Sequence, residues 1–263
     1  MSGNLTIITE TRGLSAYIWL NRPDRHNALD QNMTAAFLAD MQQLNNDPAV
    51  RVIIIQGKGP SFCAGADLLW MQQATSLTAR ENFQECLLLA KCFHAIAVSP
   101  KVTIALIHGA AYGGAGGFIA ASDLAYATES CTFAFSEVRL GMIPATIAPY
   151  VVRRIGHTNA MELMLTGRKF SSREAESMGL INKSLPDEKL NDYTTTVVEN
   201  ILQGSPASQR GIKSGMHAWK YAFMKEDMVE QSARQMAEAR IAADAREGFS
   251  AFLEKRKANW EPA

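Results

Sequence analysis

The residues best placed to do chemistry in this chain are glycines. The stretch HGAAYGGAGGFIAASD, His108 to Asp123, holds five of them, Gly109, Gly113, Gly114, Gly116 and Gly117, between a strand-like segment and what reads as a small-residue helix. Glycine in a helix interior costs ~1 kcal/mol relative to alanine, so Gly116 and Gly117 call for a compensating role. Two stay open. The helix packs closely on a neighbour or turns where a positive φ is needed. Alternatively, a strand, a glycine turn and a helix start leave backbone N–H groups free, where a ligand oxygen approaches without interference from a Cβ. An amide donor has no titratable proton and suits an oxyanion, and such donors work in pairs. SFCAGADL, Ser61 to Leu68, also follows a strand-like run and has the small residues to supply the second. GGAGGF lacks the last glycine of the dinucleotide fingerprint, and HExxH, Walker-A and GxSxG patterns are missing, which argues against nucleotide, zinc-hydrolase and covalent serine chemistry.

Hydrophobic periodicity supplies the elements that must hold these loops. LTIITETRGLSAYIWLNRP reads as two short strands joined near Arg12 and Gly13. Asn27 to about Asn46 has helical spacing, with Leu29, Met33, Phe37, Met41 and Leu44 on one face. Arg51 to Gly59 and Lys101 to Gly109 are apolar runs that suit strands buried on both faces, and Ala79 to about Val98 reads as a long amphipathic helix. PSFCAGADLLWM reads as a loop, with Trp70 and Met71 either lining a pocket or filling core. Two strand-like pieces follow between Leu124 and Gly141, then helical segments at Tyr150 to Gly167 and Ser171 to Met178. The alternation predicts an α/β fold. From about Ser205 only helices are expected, which divides the chain into a core over 1–204 and a helical region over 205–263.

Composition narrows the partners. With Lys+Arg and Asp+Glu both at 26, no overall basic field draws the chain to nucleic acid. MSGNLTIITE has no signal or transit pattern and no apolar run is long enough to span a bilayer, so a soluble, cytoplasmic protein is expected. Cys63, Cys86, Cys92 and Cys131 form no CxxC pair and no ligand spacing with the five histidines; buried reduced thiols are expected, with no metal. His108 and Tyr112 read as polar packing and a core aromatic.

Five blocks in order, LNRPDRHNAL (Leu20 to Leu29), FCAGADL (Phe62 to Leu68), GAAYGGAGG (Gly109 to Gly117), FSEVRLGMIP (Phe135 to Pro144) and EGFSAFLEKR (Glu247 to Arg256), resemble the enoyl-CoA hydratase/isomerase, or crotonase, family across essentially the whole chain. The resemblance implies a spiral of ββα repeats, a C-terminal helical region that assembles trimers, often paired as hexamers, and an acyl-CoA thioester as substrate with no separate cofactor. It carries the two oxyanion donors onto the backbone N–H groups of Ala66 and Gly114. Ala64, Gly65, Asp67, Leu68, Gly113 and Gly117 around them are expected to line the substrate. Arg25 falls in a block where the family often has a basic contact to CoA, and Phe252 and Lys255 match tail positions that touch the nucleotide.

One departure bears on the chemistry. Family hydratases use two glutamates, one three residues after the oxyanion glycine and one in a block like FSEVRLG; here the second is Glu137 and the first position is Gly117. Glu137 is therefore expected to serve as the acid/base group alone, near the oxyanion site. The same equipment permits isomerisation or decarboxylation, and the missing glutamate also admits a catalytically silent CoA-binding subunit. GAAYGGAGGFIAASD and SEVRLGMIPATIAPYV resemble a bacterial subgroup that hydrates 3-methylglutaconyl-CoA or longer glutaconyl analogues and likewise lacks the first glutamate. On that resemblance, Gly117 is expected to leave space and avoid a like charge near a substrate with a distal carboxylate, which Arg139, Arg153 or Arg154 would pair.

Overall fold

The computed structural model describes residues 5–73, 76–219 and 243–260. The chain divides into two compact units, Met1–Thr194 and Thr195–Ala263. In the first, β1 (Ile7–Arg12) and β2 (Ser15–Leu20) form a hairpin whose two-residue turn places Gly13 at φ +58°. Helix α1 (Gln31–Asn46) follows, then β3 (Val52–Gly57), α2 (Leu68–Gln73), α3 (Ala79–Ala97), β4 (Val102–Ile107), β5 (Ala110–Tyr112) and α4 (Ala115–Ala121). After them come β6 (Leu124–Thr128), β7 (Thr132–Ala134), α5 (Ala148–Thr166), β8 (Lys169–Ser171), α6 (Ser172–Ser177) and β9 (Lys183–Leu185), and α7 (Leu190–Leu202) runs from the first unit into the second. The main sheet has the order β1-β2-β3-β4-β6-β9, parallel from β2 onward, and β5, β7 and β8 make a second sheet.

Parallel strands need crossovers, and their apolar faces need cover; the helices provide both. All six residues of β3 are buried, as the unbroken run VIIIQ requires. Helix α1 buries Met33, Phe37, Met41 and Leu44 but begins at Gln31, later than the periodicity predicts. His26 and Asn27 take left-handed φ values of 50° and 55°, and Asp30 caps the helix by accepting the Met33 N–H at 2.8 Å. Thr78 and Glu81 form a capping box on α3. The sequence Leu68–Gln73, expected as loop, is a short helix.

An aromatic cluster fixes α4. Phe118 meets Phe37 edge-on at 4.8 Å, Phe93 at 5.3 Å and Phe62 at 6.5 Å, so α1, α3 and the segment after β3 all grip one helix. In the second unit α8 (Pro206–Trp219) and α9 (Ala243–Glu254) are helical, as expected past Ser205; the part of that expectation that falls on 220–242 lies outside the described residues. Arg256 closes the end of α9 with two bonds to Glu247, at 2.6 and 3.0 Å. Among the described residues no helix is long and apolar enough to cross a membrane.

Candidate active site

Two loops leave parallel strands side by side. After β3, Asn27 donates to the carbonyls of Lys58, Ser61 and Phe62, which folds the chain back on the segment before α1. Cys63 then pairs with β5: its N–H reaches Ala110 O at 3.1 Å and its carbonyl accepts the Tyr112 N–H at 3.0 Å. Gly65 turns at φ +92°, where a Cβ would stand 2.9 Å from the Tyr112 carbonyl oxygen. Leu29 bonds Gly65 O through its N–H at 2.7 Å and the Asp67 N–H through its carbonyl at 2.8 Å. This parallel bridge turns the Ala66 N–H to the opposite side, where it has no partner among the described residues.

Asp67 pins the far end of that loop. Its Oδ2 takes Arg22 Nη2 at 2.8 Å and its Oδ1 takes the Leu69 N–H at 2.9 Å, while Arg22 also reaches Asp30 at 3.1 Å. Burial raises the Asp67 pKa, but the Arg22 hydrogen bond, the Leu69 amide and the Arg22 charge outweigh it and hold the carboxyl below its ordinary range.

The second loop carries Gly113 at φ +50°, its N–H bonded to Ala134 O at 2.9 Å, and then Gly114 as N-cap of α4. The Gly114 N–H also has no partner among the described residues. A Cβ on Gly113 would lie 3.2 Å from Glu137 Oε1 and 3.8 Å from the Gly65 Cα. Glycine at 113 therefore lets both loops and the glutamate meet. Glu137 opens a 3-10 turn, Glu137–Leu140, that follows β7 and closes on Gly141 at φ +70°. Its Oε2 is buried without a partner among the described residues; burial raises its pKa, against a smaller lowering by its own backbone amide.

These groups open on a cavity of about 1240 Å³ whose walls are largely apolar, including Leu68, Leu69, Trp70, Leu89, Leu140 and Ile143. Of the residues expected from sequence, Ala64, Gly65, Ala66, Asp67, Leu68, Gly113, Gly114, Glu137 and Arg25 all line it, as do Trp70 and Met71. Gly117 does not: it is buried, and a Cβ there would lie 2.5 Å from Cε1 and Cζ of Phe93. The space expected beside Gly117 is filled by that ring. Gly116 likewise faces Phe135, 2.5 Å from its Cβ position. The inner glycines thus answer to packing and the outer pair, Gly113 and Gly114, to the cavity.

Lys255 lies just after α9 in the second unit, exposed, at φ +54°; the side chain of Phe252 is outside the described residues. Of the three arginines, Arg139 lines the cavity. Arg154 is turned inward to Ser122 O at 2.5 Å and Asn182 Oδ1 at 3.1 Å, and burial lowers its pKa to about 10. His108 bonds Gly59 O at 2.8 Å and Tyr112 bonds Thr132 at 2.9 Å, both structural. Cys63 and Cys92 are buried, with thiols pushed up to about 12, whereas Cys86 is exposed and lines the cavity, contrary to the expectation of buried thiols. The wall formed by α3 is not marked in the sequence. Asn82, Cys86 and Leu89 recur at helical spacing with Phe93, a signal that identifies a face without saying what it meets.

The sequence model of the family "Enoyl-CoA hydratase/isomerase" matches residues 10–263. A putative enoyl-CoA hydratase of Thermus thermophilus is 34% identical over 245 residues, 93% of this chain and 96% of the relative. The mevalonyl-coenzyme A hydratase sidH of Aspergillus fumigatus is 31% identical, over 93% of this chain and 90% of the relative. Among solved structures, a putative enoyl-CoA hydratase/isomerase (crotonase) from Legionella pneumophila superposes with a TM-score of 0.93 at 35% identity, covering 98% of this chain and 100% of that one. With the matched sequence spanning both cavity loops, Glu137 and the C-terminal helices, the chain belongs to the enoyl-CoA hydratase/isomerase (crotonase) family and is a hydratase-type enzyme of the crotonase fold.

Proposed function

We propose that the chain adds water to the double bond of a branched α,β-unsaturated acyl-CoA, 3-methylglutaconyl-CoA or a related glutaconyl thioester, with Glu137 as its sole acid/base group. The observation that carries this reading is the meeting of Glu137 Oε1 with the Gly113 turn beside Gly65, at 3.2 and 3.8 Å from one Cβ position, next to two unpaired amides. The thioester oxygen sits on the Ala66 and Gly114 N–H groups. Glu137 takes a proton from water as its oxygen bonds to the β-carbon; the π electrons move onto the thioester as an enolate. The protonated Glu137 then returns a proton to the α-carbon, so that H and OH are both added and the carboxylate is regenerated. A carboxyl raised by burial is suited to take and return that proton. Each oxyanion donor is worth ~3 kcal/mol in this type of catalysis.

The apolar wall supports a branched or extended acyl arm, and Arg25 and Arg139 supply cations along the same cavity for the anionic parts of such a thioester. The reading extends to a homotrimer, or a pair of trimers, built through the helices after Ser205; light scattering of the purified chain tests it. A panel of acyl-CoA thioesters, including 3-methylglutaconyl-CoA, assayed with product identification tests the substrate. The 3-hydroxy-acyl product is expected, with 3-methylglutaconyl-CoA among the preferred substrates. A shifted double bond or released CO2 in place of that product refutes hydration.

A further inference from the structure

Position 117 is one helical turn beyond the oxyanion loop, and its side chain direction is already taken. The ring of Phe93, from α3, stands over Gly117 with Cε1 and Cζ at 2.5 Å and Cδ1 at 2.7 Å from where a Cβ would be. Cβ contacts under 3.0 Å do not occur without movement, and moving this ring disturbs a packed cluster. It is fully buried, edge-on to Phe118 at 5.3 Å and 86°, and edge-on to Tyr150 at 6.4 Å and 70°. Phe118 is itself held by Phe37 and Phe62. The missing side chain at 117 and the ring from α3 therefore form one packed unit.

We infer that Phe93 is a specificity-determining residue that closes the α4 side of the reaction site to a second acid/base side chain, so that proton transfer runs through Glu137 alone. The single-carboxylate arrangement is thus built into the core and is not simply a lost side chain. The inference rests on the hydratase reading for its chemical half and on packing alone for its steric half. Gly117→Glu by itself does not create a two-carboxylate site, because the new Cβ meets the ring before its carboxyl reaches the cavity. Phe93 must shrink first.

A coupled set of variants tests both halves. Phe93→Leu removes the two ring atoms at 2.5 Å, frees the branch that carries the atom at 2.7 Å to turn away from position 117, and keeps the core apolar. Gly117→Ala is expected to lower Tm by about 5 °C in the wild-type background and by less than half of that in Phe93→Leu. Equal losses in the two backgrounds overturn the steric half. Phe93→Leu/Gly117→Glu is then expected to show a second ionisation in the pH dependence of kcat/KM, where Gly117→Glu alone shows none and loses activity. A profile with the single wild-type ionisation in the double variant overturns the chemical half. Glu137→Gln in the otherwise native chain separates the two failures: unchanged turnover there removes Glu137 from the acid/base role, and with it the chemical half, while leaving the Tm coupling to be judged by itself.

Discussion

Asp67→Asn isolates what holds the Ala66 amide in place. The substitution keeps the shape of the side chain and its capacity to accept the Leu69 N–H, but removes the charge that meets Arg22 at 2.8 Å. Side-chain exposures of 18% for Arg22 and 10% for Asp67 make this a mostly buried charge-assisted bond, worth roughly 1.5–3 kcal/mol. Arg22 retains Asp30 at 3.1 Å, which points to the lower part of that range, about 2 kcal/mol. For a chain of this size that corresponds to a Tm lower by roughly 4–8 °C. Because the folded pKa of Asp67 is depressed, its contribution is present above the unfolded carboxylate value of ~3.9 and is lost as pH falls through the folded one. The Tm gap between wild type and variant therefore narrows in acid. Loosening the loop that presents Ala66 is expected to lower kcat by ~10–100-fold, less than the full loss of an oxyanion donor. Scanning calorimetry at pH 7 and pH 3.5, with steady-state hydration assays, gives both numbers. A variant whose Tm stays within about 1 °C and whose kcat stays within about twofold of wild type refutes the view that Arg22 and Asp67 position the amide.

Gly65→Ala forces a side chain into φ +92° and against the Tyr112 carbonyl, and is expected to cost about 2 kcal/mol and at least ~10-fold in kcat/KM. Arg154→Met removes bonds to Ser122 and Asn182, none of them residues that line the cavity; it is expected to lower stability by about 2 kcal/mol while leaving kcat/KM within about twofold, checked by denaturation and kinetics on the same sample. Glu137 has a folded pKa raised by burial, so the penalty of its charge is absent below the unfolded value and grows as pH rises through the folded one. Glu137→Gln should gain about 1 kcal/mol of stability at pH 7 and nothing near pH 4, while wild-type kcat/KM rises with pH through that same raised ionisation.

The sequence conveyed the scaffold wherever one residue's environment decides its type. VIIIQ suits a strand buried on both faces and is one, and the spacing of Met33, Phe37, Met41 and Leu44 matches the face that α1 buries. Boundaries set by side-chain bonds were less legible: Asn27 reads as the start of a helix until its three carbonyl partners are seen holding it in a left-handed turn. The short helix Leu68–Gln73 is too brief for periodicity to register. Within the site, the motifs brought Ala66, Gly114 and Glu137 to one cavity, but the glycine cluster held two causes under one composition. Gly113 bends the chain beside Glu137, whereas Gly116 and Gly117 make room for Phe135 and Phe93, rings separated from them by 19 and 24 residues of chain, roughly the spacing at which local patterns fall silent. Long-range pairs of this kind are settled by packing.

The central claim concerns one carboxyl group acting beside two amides, and the hydration rate of Glu137→Gln measures it most directly. Followed at the enoyl absorbance with the preferred thioester, kcat is expected to fall by ~10²–10⁴-fold while the Kd for a CoA-ester analogue stays within about threefold, since the amide and the carboxyl occupy the same space. Hydration at the wild-type rate by this variant would contradict the account.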